Sequence, residues 1–372
     1  MSVRAASRQS TTGSRRRHRV VGWVASGLGL VGLVVGIGVG VRGIGVEAGG
    51  WRTVVGFAAL AGGLVLTGLG TGRILSGLRP VQRVLGGVVY TIVLTLLVWT
   101  LTPAVIATFV PPLLHASVTP QEFGMEADEV VFTSNDGVDL WAWYVPSRNG
   151  SAVVLRHGSG STATSVLPHA QVLAGHGYGV LMTDARGHGD SSGRAMDFGW
   201  FGDLDIRAAV DFLVGRSDVD PERIAVVGLS MGGEEAIGAV GADPRIAAVV
   251  AEGVSARTDA DKDWLSDVYG WRGWVQERLE WAQYSFTDML TSAAKPETLA
   301  GSARAASPRQ ILLIAGGDTP DEVTAATHIM VGANNVSVWI VPGAGHVQGL
   351  AVAPEDWEQV VVGFLEDAQI DR

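Results

Sequence analysis

Residues 224–237 of the chain are Ile-Ala-Val-Val-Gly-Leu-Ser-Met-Gly-Gly-Glu-Glu-Ala-Ile. The first four are apolar and predict a buried strand, and the residues after Ser230 predict a helix. Gly228 and Gly232, two residues before and after the serine, let the backbone make a sharp turn without steric clash. The stretch therefore predicts a strand, a strained turn and a helix, with Ser230 at the edge of a sheet above a helix N-terminus.

The same Gly-x-Ser-x-Gly string occurs a second time, at residues 189–193. In a chain with 51 Gly the string alone is a weak signal, because about half a match is expected by chance. The second string lies in a loop rich in Gly, Asp and Ser, and no predicted helix directly follows it. Context therefore favours Ser230 as a nucleophile, and the alternative is an idle serine in a glycine-rich turn.

From Glu129 onward, short apolar runs alternate with amphipathic stretches. The turn Asn135-Asp136-Gly137 between the first two runs predicts a β-hairpin. The predicted strands are 130–132, 140–145, 152–155, 179–183, 224–227, 246–250, 311–314 and 336–341. Helices are predicted at about 161–176, 201–214, 231–240, 321–331 and 354–366. An antiparallel start followed by β–α repeats predicts an α/β fold, a mostly parallel eight-stranded sheet with helices on both faces.

Three further motifs accompany the serine turn, each directly after a predicted strand. They are Leu155-Arg156-His157-Gly158-Ser159-Gly160, Asp184-Ala185-Arg186-Gly187-His188-Gly189-Asp190-Ser191, and Gly343-Ala344-Gly345-His346. Together with the serine turn they resemble the α/β-hydrolase superfamily over about residues 120–372. The resemblance implies a serine nucleophile and a histidine base, and it explains the second Gly-x-Ser-x-Gly string as a structural loop.

A neutral serine hydroxyl needs a base within hydrogen-bond reach, and that base needs a carboxylate to orient it. His346, on the loop after the last predicted strand, is the expected base. The acid is expected after the preceding strand, where Asp318 is preferred and Asp321 is the alternative, with Glu322 close by. A helix-capping role for either aspartate stays open.

Two backbone N–H groups are expected to form an oxyanion hole. The resemblance assigns them to Ser159, which follows His157 and Gly158, and to Met231, which follows the nucleophile. His157, Gly158, Gly228 and Gly232 are expected to be structural members of these turns.

Residues 1–114 differ in composition from the remainder of the chain. They hold 11 Arg and one acid, Glu47, for a charge of +10, whereas residues 115–372 carry −20. Uncharged runs at 20–41, 53–71 and 84–110 are long enough for helices that span a ~30 Å hydrocarbon core. We therefore predict a membrane domain (1–114) with three transmembrane helices and a hydrolase domain (115–372). Buried core helices, or a cleaved signal peptide in the first run, are the alternatives.

Glycines in these runs recur at intervals of four. Gly32, Gly36 and Gly40 in the first run, and Gly68 and Gly72 in the second, predict close packing of the first two helices, within one chain or between chains. Arginines cluster in the N-terminal tail and in the second loop, and acids follow the third run. The positive-inside rule then predicts a cytoplasmic N-terminus in the cell membrane and an extracytoplasmic hydrolase domain.

A cap insert is expected at about residues 257–300. It contains Trp264, Trp271, Trp274 and Trp281, four of the chain's 12 Trp. One interpretation is a helical cap that buries its aromatic side chains against the domain. The other is an aromatic surface that touches the bilayer or lines an acyl pocket, and complete burial would exclude the bilayer contact.

The expected function is that of a membrane-anchored serine hydrolase, similar to esterases and lipases. It would cleave an ester, thioester or related acyl bond of a small or lipid-like substrate through an acyl-serine intermediate. The alternatives are a serine peptidase of the same fold and a non-catalytic binding protein. The absence of Cys excludes a thiol nucleophile. No cofactor or metal is expected, and the segment with Asp259, Asp261 and Asp263 lacks the Gly and Glu positions of a calcium loop. No nucleic acid is expected as a partner, because residues 115–372 are acidic.

Overall fold

The computed structural model describes residues 3–42, 44, 50–110 and 118–370, with side chains from residue 17 to 368. It divides into two compact units, Met1–Val110 and Pro111–Arg372.

In the described part of the first unit there are three long helices, each with an extended apolar stretch. Helix α1 is Val3–Val35 and continues as a π-helical segment, Gly36–Val41; α2 is Trp51–Leu75 and α3 is Pro80–Phe109. The stretches Arg17–Val41, Trp51–Leu75 and Pro80–Phe109 are each long and apolar enough to cross a membrane. Each predicted apolar run therefore falls on one helix, apart from Val110 at the end of the third.

Helices α1 and α2 approach each other at glycine positions. A Cβ added to Gly32 would lie 2.8 Å from the Cα of Gly63, and one added to Gly40 would lie 2.8 Å from the carbonyl carbon of Gly56. Only hydrogen fits between backbones this close. In contrast, Gly68 and Gly72 have no atom within 4 Å of such a Cβ, so the α2 glycines at the contact are Gly56, Gly63 and Gly70, the last against Gly22 and Ser26.

The second unit is built on one eight-stranded sheet with the order β1-β2-β4-β3-β5-β6-β7-β8. The strands are β1 Asp128–Thr133, β2 Asp139–Val145, β3 Ala152–Arg156, β4 Gly179–Thr183, β5 Ile224–Leu229, β6 Ile246–Glu252, β7 Gln310–Gly316 and β8 Val336–Val341. Strand β2 is antiparallel to β1 and β4, and the remaining pairs are parallel. The predicted α/β sheet is confirmed.

Helices cover both faces of this sheet. They are α4 Leu167–Gly175, α5 Gly202–Val214, α6 Met231–Ala242, α7 Leu265–Tyr269, α8 Trp271–Leu290, α9 Leu299–Ala305, α10 Pro320–Met330, α11 Gly349–Val352 and α12 Pro354–Ile370. Alternate residues of β5 enter different cores: Ile224 and Val226 face the core under α5 and α6, and Ala225 and Val227 face the one under α4 and α12. This alternation explains why β5 is apolar throughout.

The predicted cap segment holds α7 and α8. Helix α8 buries Gly273, Tyr284 and Thr287, and the ring of Tyr284 stacks on that of Trp200 at a centroid distance of 6.4 Å. Asp261 fixes the start of the segment, because its carboxylate accepts hydrogen bonds from the N–H groups of Arg257, Thr258 and Leu299.

Candidate active site

Ser230 lies at the turn between β5 and α6, at the carboxyl edge of the sheet. Its backbone has φ 52° and ψ −122°, a strained conformation for a residue with a side chain. A Cβ at Gly228 would lie 2.2 Å from the carbonyl oxygen of Gly232, and one at Gly232 would lie 2.6 Å from that of His157. Both glycines are therefore required by the turn, which holds Ser230 away from the sheet.

Ser230 and His346 are brought together from β5 and from the loop after β8. The Oγ of Ser230 is 3.0 Å from the Nε2 of His346, and the carboxylate of Glu322 contacts Nδ1 on the other side of the ring. A carboxylate can only accept at Nδ1, so Nδ1 carries the hydrogen and Nε2 is free to accept from the serine hydroxyl. The side chain of His346 is 52% exposed and that of Glu322 is 8% exposed. The three groups form a chain from a buried acid to an accessible serine.

The expectation that Asp318 is the acid beside His346 is wrong, and so is its alternative, Asp321. Asp318 is exposed, and its N–H donates to the carbonyl of Ala344. Asp321 is also exposed and accepts a hydrogen bond from the hydroxyl of Tyr269. Consecutive residues of a helix point about 100° apart, so the first turn of α10 directs Asp321 outward and Glu322 inward.

Glu322 is held by the backbone of Gly316 as well as by the histidine. One carboxylate oxygen accepts from the N–H of Gly316 at 3.2 Å while the other contacts His346. Burial alone would raise the pKa of Glu322, but the hydrogen bonds from His346 and Gly316 lower it below its usual value. The hydrogen bond to Glu322 in turn raises the pKa of His346. The sequence Thr319-Pro320-Asp321-Glu322 has the Thr-x-x-Glu pattern of a helix start. This pattern indicates a helix-capping role for Glu322 and gives no sign of its contact with His346.

Sequence reasoning also missed Glu252, the last residue of β6. Its backbone carbonyl accepts from the N–H of Ser230 at 2.7 Å. Its buried carboxylate accepts from the N–H of Gly349 at 2.7 Å and from the indole N–H of Trp357 at 3.1 Å. Burial raises the pKa of Glu252. Glu252 thus links the serine turn to the segment that follows His346. The signal in the sequence that could have identified Glu252 is a single acidic residue at the end of an apolar strand.

The residue after Glu252 leaves room for the histidine. Gly253 has φ 72°, and a Cβ there would lie 3.1 Å from the ring atoms Nδ1 and Cε1 of His346. A side chain at this position would push the imidazole away from Ser230.

The loop after β3 is held beside Ser230 by two buried histidines. The N–H of Ala185 donates to His157 Nε2 at 3.0 Å, and the N–H of Gly160 donates to His188 Nε2 at 3.1 Å. Burial lowers the pKa of His157 well below its usual value and that of His188 to about 4, so both rings are neutral acceptors. A Cβ on Gly158 would lie 3.2 Å from the Cβ of Ser230, which places this loop directly against the serine.

Of the two expected oxyanion donors, Met231 directly follows Ser230 and Ser159 directly follows Gly158. Met231 is the first residue of α6, so its N–H has no acceptor one turn earlier in the helix. Ser159 follows Gly158, and its hydroxyl contacts the sulfur of Met196 at 2.9 Å.

The second Gly-x-Ser-x-Gly string has a structural bonding pattern: Ser191 Oγ accepts from the N–H of Trp141 and donates to the carbonyl of Asp184, both at 2.8 Å.

A buried ion pair braces the serine helix against the same loop. Arg156, the residue before His157, donates through Nε to Glu235 of α6 at 2.9 Å and through a second nitrogen to Thr183 Oγ1 at 3.0 Å. Arg156 is 1% exposed and Glu235 is 2% exposed.

Within the described residues, no group of three or more His, Asp or Glu side chains could hold a metal ion.

Comparisons with known proteins agree with this fold. The family model described as "Serine aminopeptidase, S33" matches residues 147–301. The esterase Pf2001 of Pyrococcus furiosus superposes with a TM-score of 0.55 at 25% identity, over 70% of this chain and 98% of the esterase. The chain therefore belongs to the α/β-hydrolase superfamily.

Relatives by sequence match part of the chain's length. The uncharacterized protein Rv2307c of Mycobacterium tuberculosis is 30% identical over 225 residues, which are 59% of this chain and 72% of that protein. The thiohydrolase aneE of Aspergillus aculeatus is 33% identical over 131 residues, 33% of this chain and 40% of the fungal protein.

Proposed function

We propose that the protein is a serine hydrolase that cleaves an acyl bond through an acyl-serine intermediate. The observation that carries the proposal is the 3.0 Å contact between Ser230 Oγ and His346 Nε2, with the carboxylate of Glu322 on Nδ1. In such an arrangement His346 takes the proton of Ser230 as its oxygen attacks the acyl carbon. Glu322 orients the imidazole and stabilises the imidazolium that forms.

The rest of the cycle follows from the same groups. The N–H groups of Met231 and Ser159 would bind the oxyanion of the tetrahedral intermediate. His346 then protonates the leaving group, and the acyl chain remains on Ser230. Water, activated by His346, releases the acid and restores the serine.

We propose an ester or thioester as the bond that is cleaved. The likeness to an esterase over nearly the whole of that enzyme supports this choice, and so does the sequence relationship to a thiohydrolase. A peptide bond is the second candidate, because the matching family model is described as a serine aminopeptidase.

Labelling with a fluorophosphonate probe tests the serine directly. The wild-type chain should become labelled, and Ser230→Ala should abolish the label. The matched control is Ser191→Ala, which removes the serine of the other Gly-x-Ser-x-Gly string and should keep the label. An unlabelled wild type would refute catalysis by Ser230 and favour a non-catalytic binding protein. Hydrolysis of acyl esters and thioesters, compared with peptides, then decides the bond.

We propose further that α1, α2 and α3 span a membrane, with the N-terminus in the cytoplasm and the hydrolase unit outside. The length and composition of the three helices support spanning, and the arginines of the tail and second loop support this orientation. Because the chain has no Cys, a Glu222→Cys variant tests the orientation. A membrane-impermeant maleimide should label this exposed position in intact cells, and labelling only after lysis would reverse the proposed topology.

A further inference from the structure

The outer face of α8 carries a stripe of large apolar side chains that the domain leaves uncovered. Trp271 is 77% exposed, Trp274 54%, Trp281 56% and Met289 80%. Their spacing of 3, 7 and 8 residues places them on one side of the helix. We call this stripe, with Val275, Arg278 and Ser285 between its members, the tryptophan face.

The opposite side of α8 already provides the packing of the cap. Gly273, Tyr284 and Thr287 are buried there, and a Cβ on Gly273 would lie 1.9 Å from the carbonyl oxygen of Leu265. Tyr284 contacts Phe198 and Trp200. The tryptophan face is therefore not needed to hold the cap on the domain.

The charges of α8 are also divided between its two sides. Glu277 accepts from the N–H of Ser266 at 2.7 Å, and Glu280 pairs with Lys262 at 2.8 Å, so these acids are engaged within the domain. On the outside, Arg278 lies over the ring of Trp274 at 5.7 Å, and Arg272 is exposed. The tryptophan face thus holds Arg278 among its tryptophans, Arg272 is exposed beside it, and the exposed acid Asp288 lies near the end of the helix.

We infer that the tryptophan face docks on the surface of a bilayer, the same one that the chain's three apolar helices span. Trp is favoured at the level of lipid headgroups, where its ring is buried and its N–H stays hydrated. Arginines beside it attract anionic headgroups. The covalent link to three membrane-length helices keeps the domain close to that bilayer. This inference rests on the proposed membrane anchoring and is independent of the proposed catalysis.

The absence of Cys allows a single probe to be placed on the tryptophan face. Ser285→Cys is nearly isosteric and lies between Trp281 and Met289. The full-length variant, labelled with an environment-sensitive fluorophore such as NBD, is reconstituted in nanodiscs that contain phosphatidylcholine and phosphatidylglycerol. We expect a blue-shifted emission that is quenched by nitroxide-labelled lipids. The reference probe is at Glu222→Cys, exposed at the opposite, amino edge of the sheet, and should stay unquenched.

The tryptophans themselves are tested in the labelled Ser285→Cys background. Trp274→Glu with Trp281→Glu should remove most of the lipid quenching, since two anchors are lost and two negative charges are added. Val331→Glu, which alters another exposed apolar side chain (64% exposed), should leave the quenching unchanged. Thermal unfolding of each variant in detergent verifies that the fold is intact.

Two results would overturn the inference. One is a probe at Ser285 that is as water-exposed as the probe at Glu222. The other is a blue-shifted probe that lipid nitroxides do not quench, because a second copy or another protein surface would then cover the face. Extraction of the wild-type chain by alkaline carbonate would show a separate failure, that of the proposed membrane anchoring.

Discussion

At the scale of single residues, the site depends on which carboxylate reaches the imidazole of His346. Glu322 is buried in the first turn of α10 and contacts Nδ1, while Asp318 and Asp321 are exposed nearby. The hydrogen bond to Glu322 raises the pKa of His346 above its ordinary value. A base acts only when it is deprotonated, so this shift sets the lower pH limit of the proposed reaction.

Glu322→Gln should therefore change both the rate and its pH dependence. The amide cannot stabilise the imidazolium, and kcat/KM should fall by roughly 10²- to 10⁴-fold. The pKa of His346 should fall toward its ordinary value, which moves the acidic limb of the pH–rate profile to lower pH. Profiles of the wild type and the variant measure the shift. Asp318→Asn and Asp321→Asn are the controls, and a rate loss in either that equals the loss in Glu322→Gln would contradict the assignment.

At the scale of elements, the packing of α1 on α2 depends on glycines that admit no side chain. Gly32 lies against the backbone of α2 at Ala59 and Gly63, whereas Gly68 has open space around it. The two positions are both glycines in apolar helices, so composition does not distinguish them.

Gly32→Leu should force the two helices apart, and Gly68→Leu should be tolerated. Overpacking of a close contact costs about 1–3 kcal/mol, and we expect a loss of this size for Gly32→Leu. Titration of the detergent-solubilised full chain with SDS, followed by circular dichroism, measures the difference. Equal midpoints for the two variants would show that the α1–α2 contact is not maintained in solution.

At the scale of the whole molecule, the two units place their apolar residues in opposite ways. In the first unit, large apolar side chains such as Leu64 and Val89, each 61% exposed, face outward, whereas Gly56, Gly63 and Gly70 of α2 are buried. In the second unit the sheet is apolar and buried, and it also encloses ionisable groups. His169 is one of these, 6% exposed and edge-on to Trp357, and neither of its ring nitrogens has a hydrogen-bond partner among the described residues.

Burial of His169 should make the protein sensitive to acid. Burial lowers its pKa from 6.5 to about 4 in the folded protein, so the unfolded state binds more protons between these pH values. The free energy of unfolding should therefore fall as the pH drops from 6.5 to 4, by roughly 3 kcal/mol for this group. Glu234 opposes the trend, because burial raises its pKa to about 7 and it binds its proton preferentially in the folded state.

His169→Leu isolates the contribution of this one residue. The variant should lose less stability than the wild type between pH 6.5 and 4.5 in denaturant unfolding of the full chain in detergent. Gln171→Leu, at an exposed position of the same helix that does not titrate, should retain the wild-type dependence. If His169→Leu also retained it, the histidine would not be neutral in the folded state.

The eight strands, the three apolar helices, the serine turn and the histidine loop could all be predicted from the sequence. These features have local causes, since apolar runs, paired glycines and strand-to-helix order act over a few consecutive residues. Three features became visible in the folded chain alone: Glu322 lies beside His346, Glu252 joins the serine turn to Gly349, and three tryptophans of the cap face outward. Those outcomes depend on the direction of a side chain relative to elements distant in sequence. The local sequence pattern is the same for Glu322 as for a neighbouring aspartate, and the same for an exposed tryptophan as for a buried one.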